Sequence, residues 1–182
     1  MTNARSKGSR NERGVAKLFS DWTGYEFART PQSGGLNWKK KITTGDLVCI
    51  DETHGPRFKF TIECKFHADL DFSYLIDGSI GKKTNKLSHF WVQALKEGET
   101  VHKIPLLFVR RNGMKTDMHF VIMAYSTFLK FSIYLDQIKF KYGFMTYVGE
   151  NMRIAIINSE DWFTLDYQVI HKLATKFLNE AP

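Results

Sequence analysis

Apolar and polar positions alternate strictly from Phe58 to Phe66: Phe58, Phe60, Ile62, Cys64 and Phe66 are interleaved with Lys59, Thr61, Glu63 and Lys65. A period of two predicts a β-strand with one apolar face, and it sets Glu63 and Lys65 side by side on the other. The shorter segment Asp46 to Ile50 is expected to pair with this strand through the turn-rich connection Asp51-Glu52-Thr53-His54-Gly55-Pro56. That pairing would bring Asp46 level with Glu63 or Lys65. Two carboxylates about 4 Å apart repel by roughly 4 kcal/mol at an effective dielectric of about 20, so such a strand end is expected to recruit a cation or protonate one acid.

Elsewhere the period becomes helical. Val15, Leu18, Phe19 and Trp22 share one helix face that Gly24 ends, and Ser9 with Glu12 three residues later fits a capping box that would begin it. Residues 1–8 then read as a flexible basic arm. Tyr25 to Arg29 predicts a short strand, and Thr30-Pro31-Gln32-Ser33-Gly34-Gly35 a loop that the basic, aromatic-tipped Trp38-Lys39-Lys40-Lys41 continues. From His67 to Lys86 the pattern weakens into an exposed crossing rich in glycine and lysine. Leu87, Phe90, Trp91, Ala94 and Leu95 mark a second amphipathic helix expected to stop near Gly98. Ile104 to Val109 predicts a strand buried on both faces if central, with His119 to Ala124 as its partner across a turn from Arg110 to Asp117. Phe128 to Phe144 is ambiguous between helix and strand. Met152 to Ile157 predicts a strand, and Val169, Ile170, Leu173 and Phe177 a closing helix.

Composition narrows the class. With 182 residues, 43% of them apolar, the chain is expected to fold as one domain, 1–182, around a substantial core. A formal charge of +7, with the basic residues clustered, favours a polyanion, and nucleic acid is the leading partner class. No apolar run of bilayer length and no secretory signal pattern is present, so a soluble, cytoplasmic protein is expected. Cys49 and Cys64 are expected to be reduced core thiols, and the six histidines show no ligand spacing. The Gly-Lys-Lys-Thr stretch at residues 81–84 lacks the spacing of a phosphate-binding P-loop.

The order of the polar residues carries more than any of them alone. Glu12 on the first helix, Arg29, Ser33-Gly34-Gly35, Gly45-Asp46, Glu63-Cys64-Lys65 and a helix bearing Gln93 follow one another. This order resembles the PD-(D/E)xK nuclease superfamily, and within it the archaeal Holliday junction resolvases and their viral relatives. Lys7-Gly8-Ser9-Arg10-Asn11-Glu12-Arg13 is similar to their K-G-S-x-x-E-R signature, and Arg29 with Ser33-Gly34 to their R-x-x-x-S-G loop. Two positions depart: Gly45 precedes Asp46 where the superfamily name has Pro, and Cys64 fills the variable middle position. The resemblance covers roughly the first 110 residues; about 115–182 would be a C-terminal elaboration of the same nuclease domain.

The resemblance implies an α/β fold with a restriction-endonuclease-like core, a central mixed β-sheet flanked by helices. It implies Mg²⁺ or Mn²⁺ held by Asp46, Glu63 and the backbone carbonyl of Cys64, with Glu12 adding a carboxylate directly or through water. Lys65 would orient or help deprotonate a metal-bound water and stabilise charge on the phosphate. Arg29 and Ser33 would hold the phosphate, and Lys7, Arg10, Arg13, Lys39, Lys40, Lys41, Lys82 and Lys83 would contact the DNA backbone, with Gln93 an accessory group. The activity implied is metal-dependent phosphodiester hydrolysis in branched DNA, Holliday junctions first, by a homodimer acting in the cytoplasm, for a viral protein that of the host cell. A restriction or repair nuclease of the same core, and a non-catalytic nucleic-acid-binding module with Trp38 as a stacking group, are the alternatives.

Overall fold

Leu106, Leu107, Phe108 and Val109 are all fully buried, so the run that contains them lies at the centre of the molecule with both faces covered. The computed structural model describes residues 4–30, 44–68, 70, 86–135, 143–147 and 153–180. The elements in order are α1 (Ala4–Thr23), β1 (Phe27–Arg29), β2 (Leu47–Cys49), β3 (Phe60–Phe66), α2 (Lys86–Val101), β4 (Ile104–Arg110), β5 (Phe120–Ala124), α3 (Tyr125–Leu135), β6 (Gly143–Tyr147), β7 (Arg153–Asn158), α4 (Ser159–Phe163) and α5 (Tyr167–Glu180). Five strands form one sheet in the order β3-β4-β5-β7-β6. β3 and β4 run parallel, joined by the crossover that contains α2, and the remaining pairs are antiparallel. The expected central mixed sheet flanked by helices is the observed fold.

Alternation along β4 assigns its side chains to two cores. Leu106 and Phe108 point to an aromatic layer with Phe19 of α1, Phe27, Phe58, Phe60, Trp162 and Ile170. Leu107 and Val109 point to the other face, where Leu87, Trp91 and Ala94 of α2 meet Ile122, Ile154 and Ile156. The last third of the chain therefore supplies three strands of the sheet as well as helix residues of the first core.

Several expectations change. α1 begins at Ala4, so residues 4–8 are helical and not part of a free arm, and Ser9 lies inside the helix instead of capping it. Glu12 cannot serve a capping box because its carboxylate is buried against Arg29. β2 pairs with β1, antiparallel with Phe27 opposite Cys49 and Arg29 opposite Leu47, and not with β3 as the hairpin reading required. The connection after β2 contains a 3₁₀ turn, Gly55–Arg57, instead of a tight hairpin turn, and the ladder partner of β2 is β1. The second helix continues through Gly98, which is buried; a Cβ there would stand 2.8 Å from the Lys103 carbonyl, so this glycine serves close packing rather than termination. The ambiguous stretch divides into α3 and β6, and the helix α4, capped by Asn158 accepting from the Glu160 amide at 2.9 Å, was not expected. Cys49 and Cys64 are buried free thiols. Among the described residues no helix is long and apolar enough to cross a membrane.

Candidate active site at the free edge of β3

β3 is an edge strand, and its outer edge is used by Asp46. In a parallel ladder the N–H and C=O of one residue leave the same side, and here Ile62 and Cys64 face away from β4. The Ile62 carbonyl accepts from the Asp46 amide at 2.8 Å, and the Cys64 amide donates to Asp46 Oδ2 at 2.8 Å. Among the described residues the carboxylate of Asp46 is bonded by backbone alone, although no β2–β3 ladder exists. By the same alternation the Cys64 carbonyl leaves the strand on the Asp46 side.

The other polar face of β3 is not the wet surface that its sequence pattern suggests. Thr61 and Glu63 are only 4% and 3% exposed, because α2 packs over them. Lys65 donates through Nζ to Glu63 Oε1, and Gln93 of α2 donates to the same oxygen at 2.9 Å. Burial, then the neighbouring charge of Asp46, pushes the Glu63 carboxyl up to about 7 against the opposing pull of Lys65. Burial likewise raises Asp46, opposed by its bond from the Cys64 amide and by the Lys65 charge. Burial acts to lower the Lys65 pKa, but the bond and charge of Glu63, with the charges of Asp46 and Glu97, outweigh it and the net shift is upward. Lys65 therefore remains an ammonium at neutral pH. The Cys64 thiol is pushed well above its ordinary value by burial and by the surrounding acids, so only its backbone is available to the site.

Glu12 comes to the same region from α1. It is 7% exposed, is bonded by Arg29 Nε, and its charge is felt at Asp46 and Cys64. Arg29 thus has one donor engaged by an acid, and its guanidinium keeps other N–H groups. Asp46, Glu63, Cys64, Lys65, Glu12, Arg29 and Gln93 are all brought together. Lys7, Arg10 and Arg13 are exposed on α1, with Lys7 Nζ 6.0 Å from the centre of the Phe66 ring. Ser33, Trp38, Lys39, Lys40, Lys41, Lys82 and Lys83 lie outside the described residues. Glu97, one helical turn after Gln93 and accepting from Gln93 Nε2 at 2.9 Å, was missed; its Q-x-x-x-E spacing on one helix face was the available signal.

The donors suit a hard divalent cation, since every group offered is oxygen and the thiol faces away. Among the described residues no three histidine, cysteine or carboxylate side chains close around one point. Mg²⁺ does not require that: it is commonly held by one or two carboxylates and retains waters. Two crowded acids beside a carbonyl meet that requirement.

The raised Glu63 carboxyl makes a stability prediction. Its folded pKa of about 7 lies above the ordinary 4.5, so its contribution is fully present below pH 4.5 and is lost as pH rises through 7. The loss is on the order of 3 kcal/mol for the metal-free protein. Glu63→Gln should remove it, so the difference in melting temperature between the variant and wild type should grow in the variant's favour from about pH 4.5 to about pH 8. Parallel melting profiles would show that Glu63 titrates normally.

A family model described as "Phage putative PDDEXK endonuclease" matches residues 3–174 of the chain. Protein D14 of Escherichia phage T5 is 28% identical over 109 residues, which is 60% of this chain and 65% of that protein. The chain thus matches just under two thirds of that relative's length. No solved structure matches.

Proposed function

This chain belongs to the phage putative PDDEXK endonuclease family, and from that premise we propose that it is a divalent-metal-dependent DNA endonuclease that resolves four-way junctions. The observation that carries the catalytic part is the 2.8 Å bond from the Cys64 amide to Asp46 Oδ2, which seats Asp46 on the β3 edge beside Glu63 and Lys65. Asp46, Glu63 and the Cys64 carbonyl would hold Mg²⁺ or Mn²⁺, with Glu12 as a further carboxylate. When bound there, the metal supplies an acidified water and neutralises charge on the phosphodiester.

The chain's own residues do the rest. Lys65 is an ammonium held on Glu63 Oε1, so its part is to orient and to offset the negative charge that grows on the phosphate, in preference to accepting a proton. Both described donors to Glu63 fall on Oε1, which leaves Oε2 as the oxygen for a cation. The N–H groups of Arg29 that bond no described residue, with Ser33, would grip the phosphate. Lys7, Arg10 and Arg13 would follow the backbone from α1, joined by Lys39, Lys40, Lys41, Lys82 and Lys83. A four-way junction presents two equivalent strands, so the working form would be a homodimer. The family description supports action on DNA, and the phage source of the relative fits the cytoplasm of an infected cell.

The test compares four-way, three-way, flap and linear duplex DNA with and without Mg²⁺. Metal-dependent cutting, fastest on the four-way junction, is expected. Equal cutting of linear duplex would replace junction resolution by a restriction or repair role, and salt-sensitive binding without cutting would overturn catalysis altogether. For Glu12, now free of any capping role, substitution by Gln is expected to lower the cleavage rate by about ten- to a hundredfold, the range for a group supporting a metal site. An unchanged rate would confine Glu12 to its pairing with Arg29.

A further inference from the structure

Gln93 is held between two acids, and only one of them belongs to the site described so far. Its Nε2 donates to Glu63 Oε1 and to Glu97 Oε1, each at 2.9 Å. A side-chain amide nitrogen carries two hydrogens, and both are used here. With a carboxylate at each, the amide can present only its nitrogen to them, so its orientation is fixed by chemistry. Glu97 itself is anchored: the Thr44 hydroxyl donates to its backbone carbonyl at 3.3 Å, and the next residue, Gly98, packs tightly on Lys103 and Pro105. Thr44 is also two residues before Asp46, so the same contact ties α2 to the segment that carries the first acid.

A purely structural role fits Glu97 poorly. Its Oε2 is buried and has no donor among the described residues, and its charge adds to the repulsion at Asp46 and Glu63. A fold selected only for stability would place a neutral residue there. The geometry instead serves Glu63. With Glu97 in place, Gln93 and Lys65 together fix Oε1 of Glu63 and leave Oε2 directed elsewhere; without it, an exposed helical glutamine regains its rotamers and Lys65 alone remains.

We propose that Glu97 is a positioning residue of this site: by locking the Gln93 amide it holds Glu63 in the rotamer that receives the divalent cation. The proposal rests on the metal-site reading above and extends it to a residue that touches neither cation nor DNA.

Titration calorimetry of Mn²⁺ into the full chain without DNA, together with melting of the metal-free protein, tests it. Glu97→Ala should weaken Mn²⁺ binding about ten- to a hundredfold, the effect seen for outer-shell partners of metal ligands, while the metal-free melting temperature stays at or above that of wild type. Glu97→Gln should retain most of the affinity, because its amide oxygen still accepts from Gln93. Gln93→Ala should match Glu97→Ala, and the double variant should be no weaker than either, since one acts through the other. Wild-type affinity in Glu97→Ala, additive losses in the double variant, or a metal-free melting temperature well below wild type in Glu97→Ala would each overturn it. Asp46→Asn separates the two readings. If it loses Mn²⁺ while Glu97→Ala does not, only the positioning role falls; if wild type itself takes up no Mn²⁺, the metal site falls and the positioning role with it.

Discussion

Glu63→Gln is expected to reduce metal-dependent DNA cleavage by at least about a hundredfold, and Asp46→Asn by a similar factor, with DNA binding retained in both. The magnitude is that of losing one positioned acid–base or electrostatic group, roughly a hundred- to ten-thousandfold. Both substitutions preserve shape. In Asp46→Asn the amide's carbonyl oxygen would still accept from the Cys64 N–H, and in Glu63→Gln the corresponding oxygen would still accept from Lys65 and Gln93. What each removes is a negative charge that the proposed metal site would offer its cation. Lys65→Ala differs, because it leaves the buried Glu63 carboxylate with only the Gln93 amide as a described donor, so it should lose both cleavage and stability above about pH 7. The double variant Asp46→Asn, Glu63→Gln should be little slower than either single one, as groups that act as a unit are not additive. Cleavage, binding to a four-way junction and melting temperature are measured on the same preparations. Full cleavage by Glu63→Gln would remove it from the reacting centre, and unfolding of both isosteric variants would make the acids structural.

Much of this site was legible because it is built on local periodicity. The alternation from Phe58 to Phe66 sets Glu63 beside Lys65, and the structure keeps Thr61, Glu63 and Lys65 on one face of a strand that begins at Phe60. What alternation could not show is that the face is covered: α2 arrives through a crossover, and burial by a partner distant in sequence leaves no local trace. The sequence pattern sets Asp46 beside β3 through a hairpin, and the structure brings it there by another route. The expected hairpin does not form, and the link is one backbone bond and one side-chain bond across an edge, while the ladder partner of β2 is β1. Glu12 shows the opposite failure, for a real local signal with Ser9 was overridden once the helix extended back to Ala4 and the carboxylate turned to Arg29. Glu97 was missed because a charged residue on an amphipathic helix ordinarily faces solvent, and its spacing of four from Gln93 gains meaning only from the register of α2 against β3.

Gly45→Pro, which would restore the superfamily's own letter, is expected to destabilise the protein by more than about 4 kcal/mol, beyond the usual range for one substitution. Gly45 has φ +82°, a value that a proline ring, fixed near about −65°, does not reach. The space is closed as well. A Cβ at this position would stand 2.7 Å from the Ile62 carbonyl oxygen and 2.8 Å from Thr61 Oγ1, with the strand backbone unable to retreat as a flexible side chain would. Reversing φ would turn the following amide away from Ile62, breaking the 2.8 Å bond from the Asp46 amide, and with it the 2.8 Å bond that seats the Asp46 carboxylate on Cys64. A proline at position 45 would further drive Thr44 out of its contact with the Glu97 carbonyl by restricting the residue before it. Gly45→Ala meets the same close approach with less backbone conflict, and should cost about 1–3 kcal/mol from φ alone plus the displacement of β3. Urea unfolding should rank wild type first, Gly45→Ala second and Gly45→Pro last, and cleavage by whatever fraction of each variant remains folded should fall in that order too. This chain therefore reaches the acid position by a positive-φ glycine pressed against the strand, and a Gly45→Pro protein that folded and cut DNA like wild type would show that the approach of Gly45 to Ile62 is not what places Asp46.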